Sequence, residues 1–295
     1  MKPKSLFTEQ LFEWIELNLH KKITLSTLSY KAGCTSRYLH NLFIKHLNIS
    51  PADYIRRRRL TQAAIMLRDT QRSVTEIALM YGFEHIQTFS RAFKKHFKQS
   101  PLQYRHADNW DMNLFYPSWG VADFSCNVNI ITIQKRLYIK PIKTLTWNID
   151  YGFTFLAETR KGKIYLSQEL QNSCFDLLLD RKENNTFVIL GNSRPGKNKD
   201  TEMDIHVGYI SPSVHKKEKQ SIQSGHYVCF TYHGNIQNII HFHVWAKGHG
   251  MHKHNLFLKR GATFSVFKKI TPSGTYQVEY YIPCLPDTLN SARPY

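Results

Sequence analysis

The stretch IQTFSRAFKKHF (86–97) sets Gln87, Thr88, Arg91, Lys94 and Lys95 among Phe89, Phe93 and Phe97. At 100° per residue the phenylalanines fall on one side of a helix and the polar groups on the other. Ammonium and guanidinium groups pair with phosphate oxygens. Gln, Thr and Arg can also hydrogen-bond the exposed edges of bases. An earlier stretch, RYLHNLFIKHL (37–47), has the same design, with Leu39, Leu42 and Phe43 inward and Arg37, His40 and Asn41 outward. Helices of this kind suit the major groove of duplex DNA. His85, just ahead of the later helix, joins the DNA-facing set.

The elements that would position these helices form an internal repeat. Phe43, His46, Ser50, Pro51 and Tyr54 recur fifty residues later as Phe93, His96, Ser100, Pro101 and Tyr104, and Gly33 recurs as Gly82. Each unit begins with a short helix, Leu25, Leu28 and Ala32 marking its apolar side in the first. A glycine supplies the positive φ that ends this helix. The outward-polar helix follows, with Thr35 or Ser36 as its cap in the first unit. Ser50-Pro51 and Ser100-Pro101 each combine an N-cap with a first-turn proline. They predict a long helix from Pro51 to about Asp69 and a short one from Pro101 to about Ala107. Two helix-turn-helix units joined by one rigid helix could address two successive major grooves, about 34 Å apart.

The run RRRR (56–59) sweeps about 300° of a helix, so its members cannot share one surface. Some must pack their stems on the domain while others meet phosphate or solvent. Arg57 is the member assigned to DNA.

Composition agrees with a polyanionic partner. Forty Lys and Arg face 22 Asp and Glu across 295 residues, a formal charge of +18. Residues 1–116 hold 18 cations and 9 acids, and residues 117–295 hold 22 and 13, so each part is net +9. No apolar run approaches the roughly 18 residues that span a bilayer, and the first twenty residues lack the apolar core of a secretion signal. Five scattered cysteines with no CxxC fit a reduced cytoplasm and argue against a zinc finger or disulfide scaffold.

Ile77-Ala78, Gly82-Phe83, Phe89, Phe93-Lys94-Lys95, Phe97, Ser100-Pro101 and Tyr104-Arg105 follow in order the signature of the AraC/XylS family of bacterial transcription regulators. Residues 5–107 resemble the DNA-binding domain of that family. Lys98 stands where the family usually has glycine. The domain order, DNA-binding part first, is similar to the Rob type, whose C-terminal part is a GyrI-like small-molecule-binding module. In that group Trp, Gln and Arg tend to stand where this chain has Arg37, His40 and Asn41. Gln87, Thr88 and Arg91 match the group, while Ile86 replaces a usual Gln. The resemblance implies a bacterial, cytoplasmic, nucleoid-associated regulator that binds promoter DNA as a monomer. It also implies activation of stress or drug-tolerance genes through RNA polymerase, and a small hydrophobic effector.

The expected architecture is therefore an all-α, homeodomain-like double helix-turn-helix over 1–107, an ordered linker over 108–120, and an α+β GyrI-like domain over 121–295 with a mainly antiparallel sheet. Stretches rich in Val, Ile, Tyr, Phe and Thr predict its strands: VNIITIQKR, TLTWNI, TFVILGNS, DIHVGYIS, HYVCFTYHG and YQVEYYIPC. SQELQNSCFDLLLD and NIQNIIHFHVWAKG read as helices, the latter stopped by Gly248. On the closing strand Gln277, Glu279 and Tyr281 share one face. The resemblance to GyrI-like domains implies ligand-binding roles for Glu279 and Tyr281. A solvated residue or a structural ion pair is the other reading of Glu279. HFHVWAKGHGMHKH (241–254) holds five histidines. His241 and His243 diverge on a helix, and the last three fall in a loop past the glycine, so no metal site is expected. No cofactor or catalytic motif is evident. The alternatives to a regulator are a GyrI-like hydrolase and an architectural DNA binder with a protein-contact domain.

Overall fold

The computed structural model describes residues 6–119, 123–149, 187–196, 201–211, 220–235, 238–269 and 275–286. The helix expected over SQELQNSCFDLLLD lies outside them. The chain divides into two compact units: residues up to Ala107 together with Leu114 to Trp119 form the first, and Asp108–Asn113 with the described residues from Asp123 onward form the second. The expected linker is thus shared between the units.

The first unit is helical: α1 (Leu6–Leu17), α2 (Leu25–Ala32), α3 (Ser36–Leu47), α4 (Pro51–Asp69), α5 (Val74–Met80), α6 (Ile86–Phe97) and α7 (Pro101–His106). Local chemistry sets the boundaries. Thr24, Thr35, Ser50, Ser73 and Ser100 each accept a backbone N–H from the first turn of the helix that follows, satisfying donors with no partner inside the helix. Pro51 and Pro101 open α4 and α7 as expected. Gly33 closes α2 at φ 60°, and Gly82 follows α5 at φ 72°. Leu28 is buried, but Leu25, expected on the same apolar side, is 41% exposed at the first position of α2. α4 is the axis of the unit, burying Tyr54, Ile55, Leu60, Ala63, Ala64, Met66 and Leu67.

The second unit holds an eight-stranded antiparallel sheet in the order β2-β7-β10-β9-β4-β5-β3-β6. Its strands are β2 (Asn127–Ile133), β3 (Leu137–Ile149), β4 (Phe187–Pro195), β5 (Thr201–Ser211), β6 (Ser221–Ile222), β7 (Gly225–Asn235), β9 (Thr263–Lys269) and β10 (Thr275–Pro283). A separate two-stranded ribbon pairs β1 (Asn109–Asp111) with β8 (Phe257–Lys259). All six expected strands are present. β9, which the sequence reading omitted, is an interior strand between β10 and β4. Along β10, Tyr276, Val278, Tyr280 and Ile282 are buried and alternate with less buried residues, the period-two pattern of a strand packed on one side. Helix α8 (Ile239–Trp245) supplies that packing: Phe242 stacks on Tyr232 at 5.0 Å and meets Tyr280 edge-on, while Trp245 meets Phe230.

One expected boundary is corrected. The helix does not stop at Gly248; it continues as a π-helical turn, Ala246–Gly250, and then as α9 (Met251–Lys253). A glycine ends a helix when it adopts the left-handed conformation, and Gly248 is not among the positive-φ residues. Gly250 serves packing instead, since a Cβ there would lie 3.0 Å from the Trp245 ring and 3.1 Å from that of Phe230. His249, His252 and His254 therefore lie in or at the end of this helix, not in a loop. Among the described residues no cluster of metal-ligating side chains forms.

Candidate nucleic-acid interface

α3 and α6 each bury one side and leave the other bare. Leu39, Leu42 and Phe43 face inward on α3, as do Phe89, Phe93 and Phe97 on α6. Arg37, His40 and Asn41 are exposed on α3; Gln87, Thr88, Arg91, Lys94 and Lys95 are exposed on α6, with His85 exposed at its N-cap. Neither helix contains an acidic residue. Among the described residues, the side chains of Arg37, His40, Asn41, Gln87, Arg91 and Lys94 make no hydrogen bond or ion pair within the chain. These exposed groups are open to solvent, and groups of this chemistry can pair with phosphate at the cations and hydrogen-bond base edges at the amides and Arg.

The arginines of α4 divide by role. Arg58 is 1% exposed and grips Glu16 of α1 with two bonds, Nε to Oε1 at 2.8 Å and Nη2 to Oε2 at 2.9 Å. Tyr54 donates its hydroxyl to the same carboxylate at 2.9 Å. Burial, then the adjoining carboxylate, pushes the Tyr54 phenol well above its ordinary range. Arg59 donates to the carbonyls of Leu19 and Lys21 beyond the end of α1 and lies beneath Gly82, where a Cβ would come within 3.3 Å of its guanidinium. Arg56 pairs with Asp53 at the surface. Arg57, expected at DNA, is half-buried with its guanidinium over the Tyr116 ring, 5.3 Å from the centroid.

Residues 114–119 are a strap across this unit. At one end the His96 Nε2–H donates to the Leu114 carbonyl at 2.7 Å, and Phe115 packs on Phe97. Burial lowers the His96 pKa; the carbonyl bond opposes that shift, and Arg57, Arg56 and Lys98 add to it. In the middle, the Tyr116 N–H donates to Thr61 and its carbonyl accepts from Arg58. At the other end, the Trp119 N–H donates to the Tyr54 hydroxyl at 3.1 Å, and its indole lies 4.5 Å from Phe12 and 5.8 Å from His46 of α3. The strap thus touches α3, α6 and the α4 axis between them. Sequence reasoning missed this role and the Glu16–Arg58 pair. The density of aromatics in NLFYPSW was the available signal.

In the second unit, β10 brings Glu279 and Tyr281 together. Tyr281 donates to Glu279 Oε2 at 2.9 Å, while Gln277 and Lys268 donate to Oε1 at 2.8 and 3.2 Å. Burial alone would raise the Glu279 pKa, but the bonds from Tyr281 and Lys268, with the lysine charge, bring it below the ordinary value. Tyr281 also stacks on Phe264 at 4.4 Å, beside an apolar cluster of Val188, Leu190, Tyr227 and Val266. On the other face His243 shares a 2.9 Å hydrogen bond with Ser265 and lies 4.3 Å from Tyr280; burial lowers its pKa to about 3, so it is neutral near pH 7. Among the described residues, no helix is long and apolar enough to cross a membrane.

Paired helix-turn-helix units with bare, acid-free outer faces define a DNA-binding transcription regulator. A helix-turn-helix domain family model matches residues 28–107. Regulatory protein SoxS of Salmonella typhimurium is 36% identical over 98 residues, which cover 33% of this chain and 92% of SoxS. The chain belongs to the AraC/XylS family of transcription regulators. Similarity to the transcriptional regulator Rob of Salmonella typhimurium extends further, at 27% identity over 260 residues, 85% of this chain and 86% of Rob. YkgA of Escherichia coli K12 is 43% identical over 111 residues, so the chain matches just 46% of that relative's length.

Proposed function

We propose that one chain reads an asymmetric site of roughly 20 base pairs as a monomer, with α3 and α6 in successive major grooves. The observation that carries this reading is the pair of bare polar faces on two helices joined by the single rigid helix α4. Arg37, His40, Asn41, Gln87, Thr88 and Arg91 face base edges; His85, Lys94 and Lys95 serve phosphates. Arg57, held over Tyr116, contributes charge from the side. Arg37→Ala or Arg91→Ala should cost about 1–3 kcal/mol on the best site and relax base preference. Lys94→Ala should weaken all sequences alike and reduce the salt slope by about one. Binding titrations on selected and scrambled duplexes test this. Unchanged affinity and selectivity in Arg37→Ala would remove α3 from the groove.

The same reading makes the protein a cytoplasmic, nucleoid-associated activator that works through RNA polymerase and is modulated by the second unit. A small, largely apolar effector would lie beside Tyr281 and Phe264, with Glu279 at its edge. Because Lys268 already pairs with Glu279, the site favours a neutral ligand over an organic cation. Thermal-shift screening with mass analysis of each ligand tests this. A stabilising ligand of unchanged mass supports sensing, ligand turnover supports a hydrolase, and no stabilising ligand supports an architectural binder.

A further inference from the structure

Ile44 lies on the same stripe of α3 as the residues assigned to DNA. Counting back from it, Asn41 is three residues away, His40 four and Arg37 seven, the spacings that stack side chains on one helix face. Ile44 is 40% exposed, while the apolar side of α3 is sealed by Leu39, Leu42 and Phe43. A single exposed aliphatic residue is ordinary. Ile44 is set apart by its place in the centre of a polar, acid-free face.

The internal repeat sharpens the point. Fifty residues on from Ile44 stands Lys94, exposed on the matching stripe of α6 beside Gln87 and Arg91. α6 thus carries three exposed cations, Arg91, Lys94 and Lys95, against Arg37 and Lys45 on α3. At the matched position one unit offers a phosphate anchor and the other a branched hydrocarbon. Phosphate gives a hydrocarbon no attraction, and neither does a polar base edge. The thymine C5 methyl is the aliphatic group that standard bases display in the major groove, and apolar side chains recognise it by contact.

We propose that Ile44 is a specificity residue that packs on a thymine methyl in the half-site read by α3. This rests on the placement of α3 in a groove. It assigns the matched position different work in the two units: Lys94 anchors through charge, and Ile44 selects through a contact that charge cannot make. The gain comes from removing one methyl group and part of the isoleucine side chain from water, so it is sequence-dependent and adds nothing to the salt dependence.

The test uses the full chain and a duplex selected from a random pool, with each thymine of the α3 half-site replaced in turn by deoxyuridine. That change deletes only the methyl group. At one thymine the replacement should weaken the wild-type protein about fourfold, the worth of one buried methyl, and leave Ile44→Ala unaffected. Ile44→Lys should lose the same discrimination while steepening the salt dependence by about one counterion. Equal deoxyuridine effects in wild type and Ile44→Ala at every thymine would overturn the assignment. If Arg37→Ala is then still defective, only Ile44 is excluded. If Arg37→Ala is also unchanged, the placement of α3 in a groove falls with it.

Discussion

Asn48 ends α3 at φ 56°, and Lys98, fifty residues later, ends α6 at φ 62°. Ser50 and Ser100 then cap the next helices, Pro51 and Pro101 open them, and Tyr54 and Tyr104 are buried one turn on. The two helix-turn-helix units agree at these framing positions. They part on the outward stripe, where Arg37, His40, Asn41 and Ile44 of one correspond to Gln87, Ser90, Arg91 and Lys94 of the other. The frame answers to folding: a left-handed residue ends one helix, and a serine cap with a first-turn proline starts the next. On the proposed reading the stripe answers to DNA, and two unlike half-sites would ask for two unlike stripes. If both stripes read bases as proposed, such unlike faces suit an asymmetric site better than a palindrome.

The comparison implies that cations of the frame and of the stripe behave oppositely on substitution. The largest effect belongs to Arg58. Arg58→Ala leaves Glu16 buried without its counter-charge and should cost about 3–5 kcal/mol of stability, whereas Arg91→Ala should stay within about 0.5 kcal/mol of wild type. Urea denaturation of both variants checks this. Equal stability would dissolve the distinction between frame and stripe.

The strap comes next. Trp119→Ala removes a half-buried indole that packs on Phe12 near the end of α3, and should cost about 2 kcal/mol. A fragment ending at residue 107 should lose more than one ending at residue 119, because it also lacks Phe115 and the Tyr116 bonds. Thermal unfolding of the two fragments gives the difference, and identical midpoints would show that the strap adds nothing to the frame.

The smallest effect is a gain. Lys98 holds a left-handed conformation that costs a side-chain-bearing residue energy and costs glycine none. Lys98→Gly should therefore stabilise the protein by about 0.5–1 kcal/mol, measured as a raised denaturation midpoint. A loss instead would mean that the Lys98 ammonium bond to the Lys95 carbonyl outweighs the backbone strain.

The frame was legible in the sequence because it is written in local chemistry. Ser-Pro pairs and a glycine after a short amphipathic stretch each fix a boundary from within a few residues, and phenylalanines at helical spacing fix a buried face. The exposed stripes followed from the same periodicity. What escaped depends on partners distant in sequence. Arg58 meets Glu16 forty-two residues away, so RRRR could be divided only in principle. Trp119 earns its place from Phe12, Tyr54 and His46, none of them near it in sequence. Gly248 shows the limit of local rules: it does not take the left-handed conformation, and the helix runs on through a residue type that often ends one. In the second unit Glu279 and Tyr281 were rightly placed on one face, but Lys268, which neutralises Glu279, sits on β9, the strand whose mixed apolar and cationic run did not stand out.

Sedimentation of the full chain with the shortest selected duplex that keeps full affinity tests the central claim, a monomer reading two grooves. One chain should bind each asymmetric duplex of roughly 20 base pairs, with affinity lost when the two half-sites are moved apart by half a helical turn, about 5 base pairs. Two chains bound obligatorily to a palindromic duplex would contradict it.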